Sequence, residues 1–122
     1  MAGVAHKRDA WFDEHGNVVA ERLAQALQIT EAELAVASGL TRDAVTSPDG
    51  LRSLATQQRL RQVTDLLKRI EPWAGSLGAA WAWYRSSPIS PLGHRTAETL
   101  VAAGRADEVR AYLAHISEGG YA

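Results

Sequence analysis

Hydrophobic residues recur along most of the chain every three or four positions, which is the spacing of one face of an α-helix. The first apolar stripe consists of Val19, Leu23, Ala26 and Leu27. The longest runs from about residue 56 to 71 and contains Leu60, Val63, Leu67 and Ile70. The last contains Ala106, Val109, Leu113 and Ile116. Because no run of alternating β-branched residues indicates a strand, the pattern predicts an all-α helical bundle.

Polar caps and helix-breaking residues divide these stripes into separate helices. Thr30 and Glu33 form a capping-box signature that predicts the start of a helix. This helix is expected to end at Gly39. Thr41 and Thr96 are placed to cap two further short helices.

Prolines are expected to end two of the helices. Pro48, with Gly50, is predicted to close the short helix after Thr41, and Pro72 to break the longest one. We therefore expect two regions: residues 1–71, a helix-turn-helix-like region with its linking helix, and residues 72–122, a smaller helical region.

The segment around Gly39 has the features of a helix-turn-helix. Ala35 is small where two helices would cross, Gly39 suits a positive-φ turn, and Val45 would pack the second helix onto the first. The alternative is a tight corner between two helices of a bundle. If the segment binds DNA, the candidate contacts are Thr41, Arg42, Thr46, Arg52 and Arg59.

The charge pattern near this segment supports two interpretations. The cations Arg52, Arg59, Arg61, Lys68 and Arg69 provide a local positive balance for phosphate contacts. A solvated helix face accounts for them equally well. Against DNA binding, Pro48 shortens the recognition helix, and Asp43 and Asp49 place negative charge where phosphates would lie.

Composition excludes several classes of protein. The 122 residues have a formal net charge of −1, which argues against a protein whose whole surface binds nucleic acid. Without cysteine there is no disulfide or thiolate metal ligand, as expected for a cytoplasmic protein. The N-terminal residues do not resemble a signal peptide, and we expect no membrane span.

No pattern of catalytic residues is present. The four histidines lack metal-ligand spacing, and neither a nucleophile elbow nor a phosphate-binding glycine loop occurs. We therefore expect a binding protein with no enzymatic activity, no cofactor and no metal. Trp73, Trp81 and Trp83 lie within eleven residues. Trp81 fits a core stripe, whereas Trp83 lies off it, so its helix is buried on two sides or Trp83 contacts a partner.

The region from Trp73 onward contains a helix with Trp83, a proline-containing turn, a short helix before Gly104 and a last apolar helix. In this order it resembles the toxin-binding domain of the Xre/MbcA/ParS family of antitoxins from bacterial toxin–antitoxin operons. The helix-turn-helix-like half and the linking helix also fit the family's domain order.

The turn before the short helix also carries part of the resemblance, which is specific as a combination of these features. Family members commonly have Leu-Gly-Gly and then Thr-Pro, and Leu92, Gly93 and Thr96 match this pattern. The chain departs from it at His94, in place of the second glycine, and at Ala97, in place of the proline. The region interrupted by Pro48 also departs from a standard Xre sequence.

The resemblance implies an antitoxin that neutralises a cognate RES-domain toxin, which degrades NAD, by covering its active-site cleft with the C-terminal region. It also implies antitoxin dimers within a larger toxin–antitoxin complex, and repression of its own promoter through operator DNA. The toxin-binding candidates are Trp83, Leu92, Gly93, Arg95, Gly119, Gly120, Tyr121 and Ala122.

We hypothesise that the last four residues act as a plug. Gly119 and Gly120 would let the chain approach another backbone, while Tyr121 and the terminal carboxylate would enter a pocket shaped for an anionic nucleotide. Alternatively, the contact is made by Trp83, Leu92 and the helix faces. Two rival functions remain: a stand-alone helix-turn-helix transcriptional regulator, and a structural adaptor without a DNA role.

Overall fold

The computed structural model of the chain describes residues 10–117, which form an all-α bundle as predicted. Its helices are α1 (Ala20–Leu27), α2 (Glu31–Ser38), α3 (Arg42–Thr46), α4 (Pro48–Arg52), α5 (Leu54–Ala74), α6 (Leu77–Ser86), α7 (Ala97–Ala102) and α8 (Ala106–His115). A 3₁₀ turn spans Ser90–Leu92. Within the described residues, none of these helices is both long enough and apolar enough to cross a lipid bilayer.

Side-chain caps begin several of the helices where the sequence predicts them. The Thr30 hydroxyl accepts the Glu33 N–H at 3.0 Å, and the Glu33 carboxylate accepts the Thr30 N–H, which completes the capping box. Thr41 and Thr96 cap α3 and α7 in the same way. Sequence analysis missed three further caps, Ser47, Ser53 and Ser76, which begin α4, α5 and α6.

Helix α3 ends at Thr46, just before Pro48 as predicted, whereas the prediction that Pro72 ends its helix is wrong. Pro48 is the first residue of α4, where its fixed φ suits a helix start and its missing N–H is not needed. Pro72 lies inside α5, which continues to Ala74 and ends at Gly75. So close to the helix end, Pro72 removes one backbone hydrogen bond of α5, which packs on α6. The expected boundary at residues 71–72 thus falls within a continuous helix.

Helix α5 lies at the centre of the hydrophobic core. Its buried apolar residues are Leu60, Val63, Leu66, Leu67 and Ile70, and it packs on α2, α4, α6, α7 and α8. One predicted stripe needs correction. In α1 the buried residues are Ala20, Leu23, Ala24 and Leu27, whereas Ala26 is exposed. The helix begins at Ala20, and this i, i+3, i+4, i+7 set is the one that faces the core.

The end of α2 is held by side chains from α5 and α6. The Tyr84 hydroxyl on α6 donates to the Ala37 carbonyl oxygen at 2.7 Å, and Arg59 Nη1 on α5 donates to the Ser38 carbonyl oxygen at 2.9 Å. Burial raises the pKa of Tyr84 well above its ordinary value, so its hydroxyl remains a donor. These bonds connect the helix-turn-helix segment with α5 and α6.

Candidate functional site

The turn between α6 and α7 is built around the buried side chain of Ile89. The Ile89 N–H donates to the Arg95 carbonyl oxygen at 2.9 Å, and the N–H groups of Leu92 and His94 donate to the Ile89 carbonyl oxygen. Within this turn Gly93 has φ 76° and His94 has φ 59°. A glycine adopts this left-handed conformation freely, whereas a residue with a Cβ is strained by about 1–2 kcal/mol. The backbone at His94 therefore favours glycine.

The residue after Thr96 also has a specific backbone role. Thr96 is the N-cap of α7, with φ −80° and ψ 161°, so Ala97 is the first helical residue. Proline is favoured at this position, and the extended conformation of Thr96 is one that a residue before proline adopts. The backbone at His94 thus suits the second glycine of Leu-Gly-Gly, and the backbone at Ala97 suits the proline of Thr-Pro.

The turn brings together three of the toxin-binding candidates. Leu92 is half-buried and packs against the core, whereas Gly93 and Arg95 are exposed. Within the part of the chain that the structure describes, the Arg95 guanidinium forms no ion pair. A partner could therefore contact Arg95 without first breaking an intramolecular salt bridge. The candidates Gly119, Gly120, Tyr121 and Ala122 lie outside the described residues.

Trp83 both packs inward and contacts another tryptophan. Its ring lies 5.4 Å from that of Trp73, centroid to centroid, at an interplanar angle of 89°, the favourable edge-to-face arrangement. Trp73 is 40% exposed and Trp83 is half-buried. Trp81 is buried and stacks on Tyr84, as its place in the core stripe predicts. Trp73 and Trp83 form an accessible aromatic pair on α5 and α6.

The helix-turn-helix segment has the predicted packing. Ala35 and Val45 are buried, and Gly39 has φ 69° between α2 and α3. Helix α3 has five residues, so the candidate recognition helix is short. Two DNA-binding candidates also have structural roles: Thr41 caps α3, and the Thr46 hydroxyl donates to the Arg42 carbonyl oxygen. The Arg42 side chain is exposed.

The cations proposed for phosphate binding contact other groups of this chain. Arg52 pairs with Asp49 at 2.9 Å, and Arg59 bonds to the carbonyl of Ser38. Three more such contacts join Arg61 to the Gly16 carbonyl, Lys68 to the Phe12 ring and Arg69 to Asp65. Because Arg59 points toward α2 while Arg61 and Lys68 point toward residues 12–16, the structure does not collect these cations on one face.

Sequence analysis did not predict a groove beside α3. This acidic groove has a volume of about 680 Å³ and lies between residues 13–19, the starts of α1 and α2, and helices α3 and α4. Its floor includes Val18, Val45 and Leu51, and its rim includes the carboxylates of Asp13, Glu21 and Glu31. No sequence signal indicates the groove, because its residues come from separate segments of the chain. Neither the groove nor any other part of residues 10–117 contains a cluster of His, Asp and Glu suited to a metal ion.

Comparison of the chain with models of known protein families, with curated proteins and with solved structures found no match.

Proposed function

We propose that the protein is an antitoxin that binds and neutralises a RES-domain toxin, which degrades NAD, through its C-terminal half. The observation that carries the proposal is the backbone of residues 92–97. The resembled motif has glycine where His94 is left-handed and proline where Ala97 begins α7. The two sequence departures therefore lie where the backbone suits the residues of the motif, and this supports the resemblance.

The exposed features of the same half suit a protein partner. Tryptophan and arginine are enriched among the residues that dominate binding energy at protein interfaces. The aromatic pair of Trp73 and Trp83 and the Arg95 guanidinium provide such groups on α5, α6 and the turn. In this proposal they contact the toxin, and the C-terminal residues 119–122 extend the contact toward its active-site cleft.

The test is cellular NAD after induction of the adjacent toxin gene, with and without co-expression of this protein. We expect NAD to fall when the toxin gene is induced alone and to be preserved when both proteins are made. A Trp73→Ala, Trp83→Ala, Arg95→Ala variant that accumulates normally should protect NAD less well. If induction changes neither NAD nor growth, the proposal fails.

The alternative, a stand-alone transcriptional regulator, is favoured by one observation, the helix-turn-helix packing of Ala35, Gly39 and Val45. Two others weigh against it: the intramolecular contacts of Arg52 and Arg59, and the acidic groove beside α3. A regulator should shift duplex DNA from its own promoter in a sequence-specific, salt-sensitive manner, without a toxic neighbouring gene. We place this function second.

A further inference from the structure

The acidic groove combines an apolar floor with a negatively charged rim. Val18 and Val45 are almost completely buried beneath it, so the apolar surface that a ligand can reach comes from Val19, Pro48 and Leu51, which are half-buried or exposed. Its volume of about 680 Å³ is within the range of pockets that bind small molecules or a few side chains of a partner. The groove is thus large enough for a short peptide segment.

The carboxylates at the rim are available to a ligand. Within the described residues, Asp13, Glu21 and Glu31 form no ion pair with a cationic side chain. The backbone N–H groups of Asn17 and His15, which donate to Asp13, lower the pKa of its carboxyl group, so it remains ionised at neutral pH. Arg52, the cation among the lining residues, pairs with Asp49.

This charge selects against one class of ligand and for another. A phosphate backbone in the groove would meet three carboxylates, and like charges repel. Lysine and arginine side chains instead place an aliphatic stem along apolar surface and keep their charged ends at a polar rim. Val19, Pro48 and Leu51 suit the stems, and Glu21 and Glu31 suit the cationic ends.

We infer that the acidic groove binds a segment of a partner protein in which lysine or arginine alternates with aliphatic residues. The helix-turn-helix segment therefore presents a protein-binding surface beside α3. This inference does not depend on the antitoxin proposal, since it concerns a different surface and its test uses this chain without any toxin.

The test is an NMR titration of the full-length, ¹⁵N-labelled chain with the peptide acetyl-Leu-Lys-Val-Arg-Leu-amide. We expect saturable shifts of the amide signals of Val18, Glu21, Thr46 and Leu51, and weaker binding as ionic strength rises. Acetyl-Leu-Glu-Val-Glu-Leu-amide should not bind. Acetyl-Gly-Lys-Gly-Arg-Gly-amide should bind several-fold more weakly, because it lacks the aliphatic side chains that cover the groove floor.

Variants locate the binding in the groove. The double variant Glu21→Gln, Glu31→Gln replaces both rim glutamates. Its affinity for the cationic peptide should be lower by about three- to tenfold, as expected for the loss of two exposed ion pairs. Glu14→Gln is the matched control, because Glu14 is exposed near the groove without lining it. The affinity of this variant for the cationic peptide should equal that of the unsubstituted chain. Thermal unfolding should show that all three substitutions preserve the fold.

Four results would overturn the inference. The first is no saturable binding, and the second is binding that the glutamate substitutions leave unchanged. The third is duplex DNA shifting the same amide signals with higher affinity than the peptide. The fourth is peptide binding that appears only in a full-length Lys7→Glu, Arg8→Glu variant, which would assign the groove to the chain's own N-terminal residues.

Discussion

Two turns of this molecule, at Gly39 and at Gly93, share a left-handed glycine but have opposite surroundings. A Cβ at Gly39 would lie 2.6 Å from the Cα of Ala102, so α7 packs directly on this turn. Among the residues that the structure describes, a Cβ at Gly93 would meet the Arg95 side chain alone, at 3.8 Å. The first turn is enclosed by the rest of the fold, whereas the second is open to a partner. The difference indicates that the helix-turn-helix turn supports the structure, while the turn after α6 is available for binding.

Substitution of the two glycines should give the largest difference. Gly39→Ala adds left-handed strain and a contact too close with the Ala102 backbone, so we expect a loss of about 2–5 kcal/mol in the free energy of unfolding. Gly93→Ala should cost about 1–2 kcal/mol, from strain alone. Urea unfolding of both variants measures the difference, and equal losses would contradict the comparison. If Gly39→Ala does not fold, recovery of folded Gly93→Ala under the same conditions gives the same answer.

The hydrogen bond from Tyr84 to Ala37 should have the next largest effect. Tyr84→Phe leaves the buried Ala37 carbonyl without this partner, so we expect a loss of about 1–3 kcal/mol in the free energy of unfolding. Tyr112→Phe is the matched control, because Tyr112 is only half-buried, and it should change stability by less than about 0.5 kcal/mol. Similar unfolding midpoints for the two variants would show that Tyr84 does not support the α2 end.

The open turn should become more stable when its two unusual residues are replaced. His94→Gly removes left-handed strain and should raise the free energy of unfolding by about 1 kcal/mol. Gln28→Gly is a parallel case at the α1 end, where φ is 61°, and should have the same sign. Ala97→Pro pre-forms the first helical residue, but Ala97 is completely buried, so crowding by the added ring should leave a smaller gain than that of His94→Gly. Destabilisation by His94→Gly would contradict the strain at this turn.

Removal of the last residues should have the smallest effect on stability. Deleting Gly120, Tyr121 and Ala122 should leave the thermal midpoint unchanged within error, because the core side chains of α8, Ala106, Val109 and Leu113, are retained. If these residues form the plug proposed for the antitoxin, protection of cellular NAD should weaken. Unchanged protection would reject the plug and leave Trp83, Leu92 and the helix faces as the contact.

Much of the fold could be predicted because its signals are local. The capping hydroxyls of Thr30, Thr41 and Thr96 act on N–H groups three residues away, so a short stretch of sequence contains the whole interaction. The buried positions of α5 repeat with the helical period and could be read in the same way. Gly39 and Gly93 were predicted as turn residues, and both have positive φ.

The candidate sites were less predictable because they depend on distant contacts. The sequence shows five cations between residues 52 and 69 but not their partners, and Arg59 contacts a carbonyl 21 residues away. The roles of Pro48 and Pro72 depended on how far each lies from a helix end. The acidic groove has no sequence signal, since Asp13, Glu31 and Leu51 meet only when the chain folds.

The sequence by itself determined the helical class of this protein, the caps that start α2, α3 and α7, and the left-handed turn at Gly39. Each of these depends on the conformation of a few neighbouring residues. Only the tertiary structure decided that the Gly39 turn is enclosed, that the Gly93 turn is open and that carboxylates without an ion pair among residues 10–117 line the groove beside α3. Packing brings together residues far apart in the chain, and burial and charge pairing depend on those neighbours.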